Sequence, residues 1–175
     1  EIPVGEEATT KFIRQVVEYA GIDKKQSEEF IKQEASIYYY YLEHFSEFFA
    51  EYWYGMPSEF VVTADAAYAL AYSIFLADQI GLIPKRVIIT DNTPAKFRPA
   101  ITEYFKNNIS EGVSIDVDFE EDGYEVEKLI EGVEFTAGKP LILGTSWELT
   151  LANKKGALFF EISTPSSETL IVNRS

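Results

Sequence analysis

The sequence predicts an α/β domain in which helices cover a mainly parallel five-stranded sheet, preceded by an N-terminal helical segment. Residues 56–175 alternate short β-branched or aromatic runs with amphipathic stretches, as successive β-α units do. Three of the runs are continuously apolar, which is typical of strands with helices on both sheet faces. Residues 1–55 show helical periodicity instead. We therefore expect a helical segment over 1–55 that packs on one compact α/β unit over 56–175.

The first predicted helix covers Glu6 to Tyr19. Phe12, Val16 and Ala20 follow one another at intervals of four residues, so we expect them to form one buried face. Gly21 is expected to end this helix, because glycine adopts a left-handed cap without steric cost.

The second predicted helix runs from Ser27 to about Tyr54 and is rich in aromatic residues. Its four consecutive tyrosines, at positions 38–41, cannot all lie on one helical face. Either they form a contact surface for a partner domain or subunit, or they belong to a wide core with their hydroxyls at water. His44 in the same helix is interpreted as a structural or surface histidine rather than a catalytic one.

The remaining elements alternate along the chain. The predicted strands are Phe60–Thr63, Arg86–Thr90, Val113–Phe119, Pro140–Gly144 and Ala157–Ser163. The predicted helices between them are Ala66–Gly81, Pro94–Asn107, Gly123–Glu131 and Trp147–Lys155. Because crossovers between parallel strands are right-handed, these units predict an open, twisted, Rossmann-like sheet in a three-layer domain.

Capping residues give the helix boundaries a physical basis. Asp65, Thr93 and Ser146 each precede a predicted helix, where a side-chain oxygen can accept from a free backbone N–H. Pro94 would occupy a first helical position, where its missing N–H costs nothing. Gly156 follows two lysines at the end of the last helix and provides its C-terminal cap.

Composition excludes several kinds of function. The formal charge of -14 and pI near 4.5 repel nucleic acid phosphates and anionic lipid surfaces. The chain has no cysteine and one histidine, which excludes thiolate catalysis and argues against metal ligation here. No apolar run reaches the roughly 20 residues of a membrane-spanning helix, and no signal peptide is recognised, so we expect a cytoplasmic protein.

The carboxyl ends of the predicted strands are the first place to look for a ligand site. Asp65, Asp91, Thr145 and Ser146 lie there and are weak binding candidates, with ordinary helix capping as the alternative interpretation. Asp65 and Asp91 could also hold a divalent cation, as in a flavodoxin-like receiver or small-ligand module. No glycine-rich phosphate loop follows a strand, and no catalytic set of residues is recognised.

The order of several motifs carries a resemblance to a known family. They are residues 3–12 (Pro-Val-Gly-Glu-Glu-Ala-Thr-Thr-Lys-Phe), Phe60–Asp65, Gly81 with Pro84 before Val87–Ile89, Gly144–Ser146, Leu158–Ile162 with Pro165, and Asn173–Ser175. Together they resemble an internal domain of the β-type subunit of nitrogenase component 1 oxidoreductases. The family's Gly-Asp-Pro-Asp turn is replaced here by Ala64–Ala67, and its His-Arg-Ser segment by Asn173–Ser175.

This resemblance implies a Rossmann-like domain of a nitrogen-fixing type of oxidoreductase, the nitrogenase molybdenum-iron protein β chain or a relative. The partners it implies are an α-type subunit, a second β-type copy and an ATP-dependent iron protein that donates electrons. Iron–sulfur and metal clusters are implied for the parent complex, held by cysteines in other segments, so no cofactor is expected in this piece. A cofactor-assembly scaffold of the same family is the alternative.

The chain ends support the interpretation as a piece of a longer subunit. Glu1 opens the sequence without a methionine, and Ser175 follows closely after the apolar Leu170-Ile171-Val172. We expect the parent protein to continue on both sides, with this domain acting as a scaffold and subunit contact. A trimmed natural terminus is the alternative interpretation.

Overall fold

The computed structural model describes residues 2–51, 56–109 and 115–165. The chain divides into two compact units, Glu1–Met56 and Pro57–Ser175. None of the described helices combines the length and the apolar character needed to cross a membrane.

The first unit is a pair of helices, α1 over Gly5–Ala20 and α2 over Lys24–Glu51. Gly21 takes a left-handed conformation (φ 66°) between them, which confirms the predicted cap. Arg14 of α1 donates from Nε and Nη2 to the two carboxylate oxygens of Glu28 on α2, at 2.8 and 3.0 Å. This bidentate pair fixes the register of the two helices at their exposed side.

The prediction of a buried face through Phe12 and Val16 is wrong. These two side chains are 46% and 40% exposed, whereas Val17 of α1 and Ile31 of α2 are buried. Within this unit α1 packs against one other helix, so the contact covers a narrow stripe rather than the wide face that a globular core would cover.

The second unit is the predicted α/β domain. Its strands are β1 (Pro57–Ala64), β2 (Ile83–Ile89), β3 (Asp116–Phe119), β4 (Lys139–Gly144) and β5 (Leu158–Glu161). Its helices are α3 (Ala66–Ile74), α4 (Arg98–Asn108), α5 (Gly123–Glu131) and α6 (Leu149–Lys154). All strand pairs are parallel, in the order β3-β2-β1-β4-β5. The predicted fold class is confirmed.

Two apolar layers enclose the sheet. Phe60, Val62 and Ala64 of β1 face one layer, which contains Ala69 of α3 and Phe105 of α4. The opposite layer contains Val61 and Ile142 together with residues of α5 and α6. Because alternate residues of β1 point to opposite layers and both layers are buried, this strand is apolar on both faces.

A buried carboxylate lies near the amino end of β1. Glu59 is 2% exposed, accepts from Thr136 N and Oγ1 at 2.7 Å each, and accepts from Ala137 N at 3.3 Å. Lys85 Nζ lies 3.4 Å from its Oε1. Burial raises the pKa of Glu59, but the hydrogen bonds from Thr136 and Ala137, with Lys85, outweigh burial and hold this pKa below its usual value.

Two predicted boundaries are corrected. Thr93 does not cap a helix, because it is buried and its hydroxyl donates to Asp91, so α4 begins at Arg98 rather than at Pro94. The helix expected to reach Gly81 leaves α-helical geometry after Ile74 and ends in a π-helical turn, Phe75–Gln79. Three predicted features lie outside the described residues: the helix end at Tyr54, the strand start at Val113 and the motif Asn173–Ser175.

Candidate functional site

The sheet order places a topological switch at β1. The chain runs from β1 through β2 to β3 on one side, and returns to β4 and β5 on the other. The carboxyl ends of β1 and β4 are therefore adjacent, and their connections leave in opposite directions. All four predicted candidates, Asp65, Asp91, Thr145 and Ser146, follow strands at this edge.

The structure brings Asp65 and Asp91 together at the first turn of α3. Oδ1 of Asp65 accepts from the backbone N–H groups of Ala67 and Tyr68, at 3.0 and 3.2 Å. Oδ2 of Asp91 accepts from Ala66 N at 2.8 Å, and its other oxygen accepts from the hydroxyl of Thr93. The two carboxylates thus satisfy three of the free N–H groups at the start of one helix.

The second pair of candidates, Thr145 and Ser146, makes local hydrogen bonds at the turn after β4. Thr145, not Ser146, caps the helical turn Ser146–Glu148, and the prediction for Ser146 is wrong. Ser146 instead donates from its N and Oγ to the carbonyl of Pro165, both at 2.9 Å. A threonine followed three residues later by glutamate is the capping-box signal, which identifies Thr145 from the sequence alone.

Glu148 is the site residue that the sequence interpretation missed. Its Oε2 accepts from Thr145 N at 2.6 Å and from Thr145 Oγ1 at 2.8 Å, and the residue is 7% exposed. Burial raises the pKa of Glu148 above its usual value, although the hydrogen bonds from Thr145 oppose the rise. This glutamate is therefore held in a poorly hydrated place beside the switch.

Gly144 makes this position of Glu148 possible. A Cβ on Gly144 would lie 2.6 Å from Oε2 of Glu148 and 3.3 Å from its Cβ and Cδ. The carboxylate therefore occupies the space that any other residue at the end of β4 would fill.

A cleft opens beside Glu148. It has a volume of about 280 Å³ and is lined by Gly123, Tyr124, Glu127, Trp147, Glu148 and Leu151. Trp147 and Tyr124 are 67% and 65% exposed, and the Trp147 ring passes 3.5 Å from where a Cβ of Gly123 would lie. The cleft therefore lies between the start of α5 and the turn after β4.

The aromatic stretch of α2 is largely open. Tyr38 is half-buried, whereas Tyr39, Tyr40 and Tyr41 are 52%, 56% and 66% exposed. His44 is exposed and its Nδ1 lies 2.7 Å from the carbonyl oxygen of Tyr40. His44 is therefore occupied within its own helix.

The donor set does not fit an iron–sulfur cluster. The sequence contains no cysteine, so the thiolates that hold such clusters are missing from this chain. Within residues 2–51, 56–109 and 115–165, no three His, Asp or Glu side chains converge in a way that could hold a metal ion. No chemical step through a cluster can therefore be assigned to these residues.

Comparisons with known proteins complete the description. Curated proteins gave no match. Among solved structures, a chain described as "Nitrogenase Cp1 at pH 6.5" is similar in fold, with a TM-score of 0.61 and 22% identity. That similarity covers 95% of this chain but 33% of the other, so this chain spans about a third of its relative's length. A family model described as "Nitrogenase component 1 type Oxidoreductase" matches residues 1–170. Because this match covers nearly the whole sequence, the chain belongs to the nitrogenase component 1 type oxidoreductase family.

Proposed function

We propose that this chain is an internal domain of a component 1 β-type subunit and acts as a scaffold and subunit contact in the parent oxidoreductase. The family match over residues 1–170 carries this proposal. The parent would reduce N2 or a related substrate in the cytoplasm, with clusters held outside these 175 residues. Its partners would be an α-type subunit, a second β-type copy and an ATP-dependent iron protein.

The hydrogen bonds at the topological switch favour a structural role for this domain. Asp65 and Asp91 both accept from the first turn of α3, and Glu148 accepts from Thr145. Carboxylates used in this way stabilise helix starts and hold the strand ends in register. Because the chain has no cysteine, we expect electron-carrying clusters to be bound by other parts of the parent protein.

The exposed tyrosines of α2 are our candidate for the subunit contact. Tyrosine gives a large contact area with little loss of side-chain entropy, and it is enriched in protein interfaces. Tyr40 and Tyr41 are each more than half exposed. A contact there would bury both rings without disturbing the sheet unit, which has its own core.

Anaerobic purification tests the absence of a cluster. The chain, expressed with iron and sulfide available, should contain far less than one iron per molecule and should lack an iron–sulfur absorption band. A stoichiometric band that survives gel filtration would refute the proposal.

The contact is tested in the longer parent protein, coexpressed with its α-type subunit. Tyr40→Ser combined with Tyr41→Ser should lower the yield of the complex, while Tyr19→Ser should not, although Tyr19 is 96% exposed. Equal yields from both variants would place the contact elsewhere.

A cation-binding receiver module is the second candidate, because Asp65 and Asp91 meet at one helix start. Millimolar magnesium should then raise the melting temperature, and Asp91→Asn should abolish the rise. If magnesium does not raise the melting temperature, the result would argue against the receiver module and favour the scaffold role. A cofactor-assembly scaffold is distinguished by the cysteines of the parent upstream of Glu1, where three spaced cysteines would favour a cluster-bearing enzyme subunit.

A further inference from the structure

The cleft beside Glu148 combines exposed aromatic rings with acidic side chains. Tyr124 and Trp147 line it from α5 and from the turn after β4, and each is about two-thirds exposed. Glu127 and Glu148 line the same cleft. Large aromatic side chains at a cavity mouth offer π faces to a ligand.

Neither carboxylate is held in an ion pair within the described residues, although Lys154 lies close enough to Glu127 to attract it. Neither Glu127 nor Glu148 forms an ion pair there, whereas Glu125 pairs with Lys128 at 2.7 Å and Glu131 with Lys154 at 2.7 Å. Glu148 is more than nine-tenths buried, and Thr145 donates both of its hydrogen bonds to Oε2, so Oε1 stands outside that capping interaction. A buried acidic group favours a cation or a hydrogen-bond donor nearby.

The surroundings already attract one ammonium group. Lys128 Nζ lies 4.1 Å from the centroid of the Tyr124 ring, which is cation–π geometry. The positive end of α5 would oppose a cation, but Asp122 caps it by accepting from the N–H groups of Tyr124 and Glu125 at 2.9 and 3.2 Å. With a formal charge of -14 on the whole chain, the field at the cleft favours positive ligands.

We propose that the cleft lined by Tyr124, Glu127, Trp147 and Glu148 binds a small organic cation of the alkylammonium class. Trp147 and Tyr124 would contact the methyl or methylene groups around the nitrogen, and the two carboxylates would balance its charge. The volume of about 280 Å³ falls just below the roughly 300–1,000 Å³ of typical ligand pockets, so the cleft suits a ligand as small as a trimethylammonium group. This site is independent of the proposed scaffold role.

Choline chloride is the probe, and its neutral carbon isostere, dimethylbutanol, is the control for shape. Saturation-transfer NMR on the ligand methyl protons should give a saturable signal for choline with a millimolar dissociation constant. The isostere should bind about tenfold more weakly, because it lacks the charge. Sodium chloride at matched concentration controls for ionic strength.

Variants locate the binding. Trp147→Ala should weaken choline binding about tenfold, and Glu127→Gln should weaken it several-fold. Phe160→Ala removes a ring that is 59% exposed elsewhere on the same unit and should leave binding unchanged. Because Glu127 is exposed, its variant tests the site even if the Trp147 variant fails to fold.

A second readout uses the Trp147 ring itself. The chain has two tryptophans, so Trp53→Phe leaves Trp147 as the sole indole, and choline should change its fluorescence with the same dissociation constant. Equal binding of choline and its isostere, or equal loss in the Phe160 variant, would overturn the proposal. A lysine-methylated peptide that binds far more tightly than choline would support the same chemistry and identify its source as a protein side chain.

Discussion

Replacing Gly144 by alanine should destabilise the sheet unit through Glu148. The new Cβ would lie 2.6 Å from Oε2, so the carboxylate must move and give up its bonds to Thr145 N and Oγ1. Overpacking costs about 1–3 kcal/mol, and leaving the buried N–H of Thr145 without an acceptor costs about 1–3 kcal/mol. Since the side chain can relax partly, we expect a loss of about 2–4 kcal/mol in the free energy of unfolding.

A double-mutant cycle isolates the cause. In a Glu148→Ala background, Oε2 and Cδ are absent, and the closest remaining contact is the Cβ at 3.3 Å. Gly144→Ala should then cost less than about 1 kcal/mol, giving a coupling of about 1–3 kcal/mol. Urea unfolding followed by circular dichroism measures all four proteins at equal slope. If the two substitutions add within about 0.5 kcal/mol, the clash with Glu148 is not what requires glycine.

Three further perturbations test individual carboxylates. Because burial raises the pKa of Glu148, this residue stabilises the fold at pH values below the unfolded pKa of 4.5. This contribution is lost as the pH rises through the folded pKa. Glu148→Gln should therefore remove this part of the pH dependence of the urea midpoints. The pKa of Glu59 is lowered, so the sign is opposite: Glu59 stabilises the fold above the unfolded pKa of 4.5, and this stabilisation is lost as the pH falls through the folded pKa. Glu59→Ala should cost about 2–4 kcal/mol at pH 7 by leaving the N–H of Thr136 unpaired, whereas the exposed Glu131→Ala should cost clearly less because solvent screens its ion pair. Asp65→Ala should cost about 1 kcal/mol in urea unfolding through the lost cap of α3, and Asp65→Asn much less. Equal losses for Glu59→Ala and Glu131→Ala, or for the two Asp65 variants, would contradict these assignments.

The strands were predictable because burial on two sides leaves a plain signal in the sequence. Val87–Ile89 and Leu141–Leu143 are apolar without interruption, which local pattern alone assigns to an interior parallel strand. The cap at Asp65 was predictable for a similar reason, since an aspartate directly before a helix has one favoured use.

The corrected positions depend on contacts between distant parts of the chain or on competing caps. Thr93 looked like a cap, yet its hydroxyl is used by Asp91, which itself reaches across to Ala66 of α3. No local pattern encodes that crossing. Ser146 and Thr145 are both good capping residues in sequence, and Glu148 decides between them by returning to the backbone of Thr145.

The cleft could not be derived from spacing. Tyr124 and Trp147 are 23 positions apart (147 − 124) and carry no periodic relation in the sequence. They meet because α5 and the turn after β4 lie over the same face of the sheet, where Val126 and Leu151 share one apolar cluster. Only the strand order makes these segments neighbours.

The two outer strands of the sheet differ in how they would receive another chain. β3 is four residues long and carries Asp116 and Asp118, the latter held by Arg86 Nε at 2.7 Å, so its charges oppose the addition of a further strand. β5 has the sequence Leu-Phe-Phe-Glu, and Phe160 is 59% exposed. Extension of the sheet by a segment of a longer subunit, or unwanted aggregation of the isolated piece, would therefore begin at β5.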